Sequence, residues 1–155
     1  MPGDHCLLLR KSLQQPTAPP RWPCNVNLQP YDALYAERAY ALLQQVHPAD
    51  TIDWPTWQAH WRTNPEYDPA LCLLVFDATG LVGLAHGWTS GYLKDLAVHP
   101  RARRQGLGEA LLAWACQTYR QRGEPSLDLR VREDNQPALR LYQKLGMQCI
   151  RREPC

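Results

Sequence analysis

The sequence predicts an α/β (α+β) fold, a central mixed and mostly antiparallel twisted sheet of about six to seven strands flanked by about four helices. Three observations predict it. Leu71–Phe76, Leu81–Trp88 and Tyr92–Val98 are strand-like runs separated by the turn signals Asp77-Ala-Thr-Gly80 and Thr89-Ser-Gly91, the pattern of an antiparallel meander. On both sides of this meander the apolar period changes to that of amphipathic helices. The chain of 155 residues has room for one domain with a real core and none for a second catalytic domain, since domains of roughly 100–150 residues are the commonest size.

In chain order, residues 1–23 carry Pro2, Pro16, Pro19, Pro20 and Pro23 with almost no periodicity. They are expected as an extended, partly disordered arm appended to a single domain over 24–155, with at most a short strand at Leu7–Leu9. A short strand is expected from Cys24 to Leu28. Leu34, Tyr35, Ala39, Leu42, Leu43 and Val46 recur at helical spacing over Tyr31–Val46, and His47-Pro48 ends that helix. Asp53 before Trp54-Pro55 reads as the N-cap and first turn of a second helix, which reaches about Arg62 and stops ahead of Asn64-Pro65. After the meander, Leu107, Leu111, Trp114, Ala115 and Tyr119 mark a helix from Gly106 to about Arg122, with Gly123 placed to end it. Ser126–Val131 alternates Leu127, Leu129 and Val131 with Asp128 and Arg130, as a strand does. Asn135 can cap a last helix from Gln136 to Leu145, closed by Gly146, before a strand around Met147–Arg151.

Composition excludes some functions. The longest apolar stretch, Ala70–Phe76, is far too short to span a bilayer, and Arg10 and Lys11 cut off the only early apolar run, so the expected compartment is the cytoplasm. The six cysteines, Cys6, Cys24, Cys72, Cys116, Cys149 and Cys155, show no CxxC spacing and are expected as reduced structural thiols, with no metal site. A formal net charge of +2 is too small to argue for nucleic acid. Arg101, Arg103 and Arg104 nevertheless cluster, which suggests a local anion site.

That cluster lies in Leu96-Ala-Val-His-Pro-Arg-Ala-Arg-Arg-Gln-Gly-Leu-Gly108, a strand entering an Arg- and Gly-rich turn that opens a helix. Glycine lets backbone approach a ligand, and the free N–H groups and positive dipole end of a helix start favour a phosphate. A nucleotide phosphate loop would need Gly-Lys-Ser/Thr, but Glu109 and Ala110 follow Gly108. A dinucleotide GxGxxG fails at Leu111, although Asp128 lies about 20 residues on, and the loop follows a meander rather than opening a βαβ unit. The plainer alternative is glycines that start a helix and arginines on its solvated face.

Val98-His-Pro-Arg-Ala-Arg-Arg-Gln-Gly-Leu-Gly-Glu-Ala-Leu-Leu112 resembles the acetyl-CoA motif of the GNAT acetyltransferase superfamily, Arg/Gln-x-x-Gly-x-Gly/Ala, matched by Arg103, Gly106 and Gly108. Asn135-Gln-Pro-Ala-Leu-Arg-Leu-Tyr-Gln-Lys-Leu-Gly146 resembles the family's second segment. The two motifs in this order are more specific than either alone. The resemblance implies a GNAT-like sheet in which the strand at Leu96–Val98 splays from the one at Ser126–Val131 around acetyl-CoA. It implies an N-acetyltransferase acting on a primary amine of a small molecule, peptide or protein, by direct attack in a ternary complex, with no nucleic-acid or membrane partner and a homodimer as the family-level expectation.

Residue by residue, the resemblance assigns the cofactor to Leu96, Ala97, Val98, Arg103, Arg104, Gln105, Gly106, Leu107, Gly108, Glu109, Ala110, Asn135 and Tyr142. Tyr142 matches the general acid for the departing thiolate, although a tyrosine between Leu141 and Leu145 can equally be packing. In members resembling ribosomal-protein N-terminal acetyltransferases a Glu precedes the Asn, where this chain has Arg130, which leaves the general base open among Asp95, Asp128 and Glu133. Each of these carboxylates can equally be a salt bridge or cap. Trp54, Trp57, Tyr92, Lys94 and Arg130 are the candidate acceptor residues, aromatic faces suiting a cationic amine. Against this, Trp54, Trp57 and Trp61 have the spacing of a buried helix face, and Lys94 can be a solvated strand end. The alternative function is a catalytically inactive acyl-CoA-binding regulatory module.

Overall fold

The computed structural model describes residues 4–50 and 52–155; the first three residues of the expected arm, Pro2 among them, lie outside the described residues. In chain order the elements are β1 (His5–Ser12), β2 (Asn27–Pro30), α1 (Ala36–Val46), α2 (Trp54–Thr63), β3 (Tyr67–Phe76), β4 (Leu81–Trp88), β5 (Leu93–Val98), α3 (Leu107–Gln121), β6 (Ser126–Arg132), α4 (Gln136–Lys144) and β7 (Gln148–Pro154). β2, β3, β4 and β5 form the expected antiparallel meander, and β6, β1 and β7 a second antiparallel group with β1 in the middle. The two groups meet where Tyr92 bridges Asp128 in parallel and the Asp128 N–H donates to the Gly91 carbonyl at 3.0 Å. Beyond that bridge β5 and β6 diverge, so the sheet opens into a wedge.

Local chemistry sets the helix starts. Asp32 accepts the Leu34 N–H at 2.8 Å and opens a short 3₁₀ turn, Ala33–Tyr35, ahead of α1. Asp53 accepts from Thr56 and Asn135 from Ala138, each as the N-cap read from sequence. One face of the meander packs on α1 and α2 through Ala39, Leu42, Leu43 and Trp61 against Leu74, Leu84 and Ala97. The other packs on α3 through Leu107, Leu111, Ala115 and Tyr119 against Val75, Val82 and Ala85. α3 sits so close to β4 that a Cβ at Gly83 would lie 3.1 Å from Leu107 and 3.2 Å from Leu111. No helix among the described residues is long and apolar enough to cross a membrane.

Two expectations are corrected. Residues 5–12 are not part of an appended arm: β1 is the central strand of its group, with Leu8, Leu9 and the Cys6 side chain buried. The prolines of the arm all lie at position 16 and beyond, or at Pro2, so nothing in 5–12 opposes pairing, and Arg10 is satisfied across the strand by both Asp128 oxygens at 2.8 and 2.9 Å. The cysteines are not all reduced, because Cys6 and Cys155 form a disulfide while Cys24, Cys72, Cys116 and Cys149 are free. The antiparallel register of β1 and β7, which sets His5 opposite Pro154, brings the two sulfurs together across 149 residues of sequence. Smaller differences are at strand ends: β2 lies at Asn27–Pro30 rather than Cys24–Leu28, β3 begins at Tyr67 rather than Leu71, and β7 runs on to Pro154.

Candidate active site

At the end of β5 the chain turns through a 3₁₀ segment, Pro100–Ala102, in which the His99 ring accepts the Arg101 N–H at 3.1 Å. Arg101 is spent structurally, its guanidinium on Asp77 of the β3–β4 turn at 3.1 and 3.3 Å. Arg103, Arg104 and Gln105 stay exposed, and Arg104 and Gly106 take left-handed φ values of 64° and 79°. Gly106 then opens α3, and the first-turn N–H groups of Leu107, Gly108 and Glu109 have no intrahelical acceptor. A Cβ at Gly106 would meet nothing within 4 Å, and one at Gly108 would make only ordinary contact with Leu141 at 3.5 Å and Val98 at 3.7 Å. The loop is therefore an open, cationic cradle of backbone donors, the arrangement that suits a phosphate. Leu107 and Ala110 bury their side chains in the core and offer only backbone there, and Glu109 is paired with Lys144 at 3.1 Å.

The wedge between β5 and β6 is a cavity of about 800 Å³. Leu96 lines it from β5, Leu129 and Val131 from β6, and Asn135 and Tyr142 from the α4 side. Ala97 is buried on the α1 side, 1% exposed, and contributes backbone alone. The carbonyls of Leu96 and Val98 are met by side chains, His47 Nε2 at 3.2 Å and Arg103 Nε at 3.4 Å. Tyr142 is buried, which pushes its phenol up to about 12 and keeps the hydroxyl a proton donor at neutral pH. Asn135 combines its place in the cavity wall with the N-cap of α4.

The far half of the cavity is aromatic. Trp57, Trp61, Trp88, Tyr40 and Tyr92 line it together with Lys94, Asp95 and Arg130. Trp54 stands one layer behind, stacked on Trp57 at 5.7 Å and against Tyr40 at 5.2 Å. Arg130 is held by Glu153 at 3.2 Å and by donation to the Pro154 carbonyl at 3.2 Å. Of the three carboxylates left open as base, Asp128 is committed to Arg10 and Glu133 to Arg152, at 2.7 and 3.0 Å. Asp95 alone of the three faces the cavity, beside His86 Nδ1 at 3.1 Å and Lys94 Nζ at 3.6 Å. Burial works to raise its pKa, but the hydrogen bond from His86 and the neighbouring charge of Lys94 outweigh it, so Asp95 titrates below the usual carboxylate range. Sequence reasoning missed His86, whose place in the apolar run Leu81–Trp88 reads as core; only the cross-strand register with Asp95 shows its partner.

Comparison with known proteins agrees with this geometry. The acetyltransferase (GNAT) family profile matches residues 33–147. The chain is 33% identical over 153 residues to a mycothiol acetyltransferase of Salinispora tropica, an alignment covering 89% of this chain and 50% of that one. In structure it is similar to a GCN5-related N-acetyltransferase from Sphaerobacter thermophilus, with a TM-score of 0.83, 23% identity, 98% of this chain and 50% of the other covered. It is also similar to the ribosomal-protein-S18-alanine N-acetyltransferase from Escherichia coli, with a TM-score of 0.65, 25% identity, and 78% and 76% covered. The chain thus spans about half the length of the Salinispora and Sphaerobacter proteins. With the family profile covering most of its length, and the wedge and helix-start cradle in place, the chain belongs to the acetyltransferase (GNAT) family.

Proposed function

We propose that the chain is an acetyl-CoA-dependent N-acetyltransferase acting on a primary amine. The observation that carries the proposal is the β5–β6 wedge, walled by Leu96, Leu129, Val131 and Tyr142, on a strand whose end leads through Pro100–Ala102 into the donor cradle at the start of α3. Acetyl-CoA, when bound, supplies the activated acetyl thioester. The first-turn N–H groups of Leu107, Gly108 and Glu109, with Arg103 and Arg104, would hold its pyrophosphate, and the open edge of β5 at Leu96 and Val98 would align its extended arm. Tyr142 holds a proton at the α4 end of the cavity, where a leaving thiolate would take it. Trp57, Tyr92, Lys94 and Arg130 would shape the acceptor end, and the aromatic walls favour a cationic amine with an apolar or aromatic body. The relatives, a mycothiol acetyltransferase and a ribosomal-protein-S18-alanine N-acetyltransferase, point the acceptor screen at small-molecule amines and at peptide amines.

Calorimetric titration with acetyl-CoA tests this reading. Saturable binding is expected, and Gly108→Val should abolish it while leaving the fold intact, because a Cβ at Gly108 meets only ordinary contacts in the free protein. A folded wild type that binds no acetyl-CoA overturns the assignment.

A further inference from the structure

His86 is the single polar or charged residue in the described core, 5% exposed. Its ring lies flat on the Trp61 indole, centroids 3.8 Å apart and planes 17° apart, which sets the plane of the ring. Nδ1 meets Asp95 Oδ2 at 3.1 Å across the β4–β5 register, and Nε2 is buried without a partner. A buried, unpartnered ring nitrogen is a cost with no structural return, and such groups collect where orientation matters to function. With Asp95 a carboxylate, the network assigns the Nδ1–H tautomer, in which the ring donates to Asp95 and Nε2 is bare.

We infer that His86 is a positioning residue for acetyl transfer, stacked on Trp61 so that its Nδ1–H fixes the Asp95 carboxylate in the cavity wall as the acceptor of the substrate ammonium's proton. The inference rests on the acetyltransferase reading and deepens it by naming the base. In the step, one N–H bond of R–NH₃⁺ breaks, an O–H bond forms on Asp95, and the electron pair stays on nitrogen as the nucleophile. The ammonium's positive charge and the carboxylate's negative charge cancel, and water at the cavity mouth later carries the proton away. Besides His86, the groups that act on Asp95 are Lys94 on β5, Tyr92 just before it, His47 after α1 and Cys72 on β3, and His60 on α2 and Arg130 on β6 share its cavity wall. Burial pushes the Cys72 thiol up to about 12 and raises the Tyr92 phenol, so both stay neutral beside the pair. Arg130 is already paired with Glu153. Lys94 approaches the oxygen that His86 does not hold, Oδ1 at 3.6 Å. The Lys94 ammonium beside Asp95 disfavours a second cation there, which narrows the gap the proton has to climb.

The test uses the full chain, tyramine and 1,4-diaminobutane as probe amines, and rates of coenzyme A release from about pH 4 to about pH 10, a range that takes in the titration of both the carboxylate and the amine. Coenzyme A binding is measured by calorimetry on every variant. Asp95→Asn is expected to bind coenzyme A normally yet lose about 100-fold or more in rate at neutral pH, and to recover as the free amine accumulates at alkaline pH. His86→Leu removes the hydrogen bond that favours the carboxylate, so the acid limb of its profile should move to higher pH. His86→Gln, whose amide can still donate, should restore the wild-type profile, and thermal melts separate these effects from loss of fold. A loss in His86→Leu that is the same at every pH, or no rescue by His86→Gln, overturns the inference and leaves His86 a packing residue. A wild type that binds coenzyme A but acetylates neither amine overturns it as well. A wild type that does not bind coenzyme A instead removes the acetyltransferase reading on which the inference rests.

Discussion

Tyr142 illustrates how a single residue reconciles two readings that look opposed in sequence. It is part of the core and it also lines the wedge. Burial that suits packing is also what raises the phenol to about 12. A group with a raised pKa holds its proton up to that value and loses it only above, so Tyr142 remains a donor throughout a neutral or mildly alkaline assay. Tyr142→Phe keeps the ring and removes only the proton. The expected outcome is coenzyme A affinity close to wild type with turnover lower by roughly 100-fold, the usual scale for a lost general acid. No alkaline loss assignable to Tyr142 should appear below about pH 10, where an unperturbed phenol would already be half ionised. Steady-state rates beside calorimetry decide this, and unchanged turnover would return Tyr142 to packing alone.

Among the elements, what could be read in the sequence was what is local along the chain. The meander turns, the caps at Asp53 and Asn135 and the loop from Arg103 to Gly108 are each written in consecutive residues, and the structure has them where the spacing put them. Pairings between distant segments were not readable: the insertion of β1 between β6 and β7, the seating of His86 against Asp95, and the commitment of Asp128 to Arg10 all need the register of strands far apart in sequence. The three tryptophans of α2 show the intermediate case, because helical spacing groups them but only the fold separates Trp57, in the cavity wall, from Trp54 behind it. The loop carries its own prediction. Arg103 is exposed, and the one hydrogen bond of its side chain among the described residues, a long 3.4 Å contact to the Val98 carbonyl, is replaceable by water. Arg103→Ala should therefore leave stability nearly unchanged while weakening coenzyme A binding by about 1–3 kcal/mol, the worth of one charge-assisted hydrogen bond. Pantetheine, which lacks the pyrophosphate, should lose that difference, and equal affinities of wild type and variant for coenzyme A would place Arg103 in solvent.

At the scale of the whole molecule, the two ends of the described chain are tied together at the cavity. β1 is held by β6 on one side and β7 on the other, and Cys6–Cys155 fastens the last residue to the second residue of β1. The same terminal segment supplies Glu153 and the Pro154 carbonyl that hold Arg130, and both bridged cysteines line the cavity. In the chain-entropy account a cross-link spanning so much of a chain stabilises the fold by about 4–5 kcal/mol, because it removes most of the freedom of the unfolded state. Urea unfolding with and without dithiothreitol should show a loss of that order on reduction, and Cys155→Ser should match the reduced wild type and be indifferent to reductant. Thiol titration in denaturant without reductant should find the four cysteines Cys24, Cys72, Cys116 and Cys149, and all six of the sequence after reduction. The bridge persists only where the surroundings are oxidising, so a reducing compartment would present the opened form. Because opening frees the segment that holds Arg130, reduction should change the KM for the acceptor amine more than the affinity for coenzyme A, whose cradle lies at the other end of β5. Six thiols without reductant, together with unfolding that dithiothreitol does not move, would show instead that β1 and β7 are held by their ladder and the ion pairs alone.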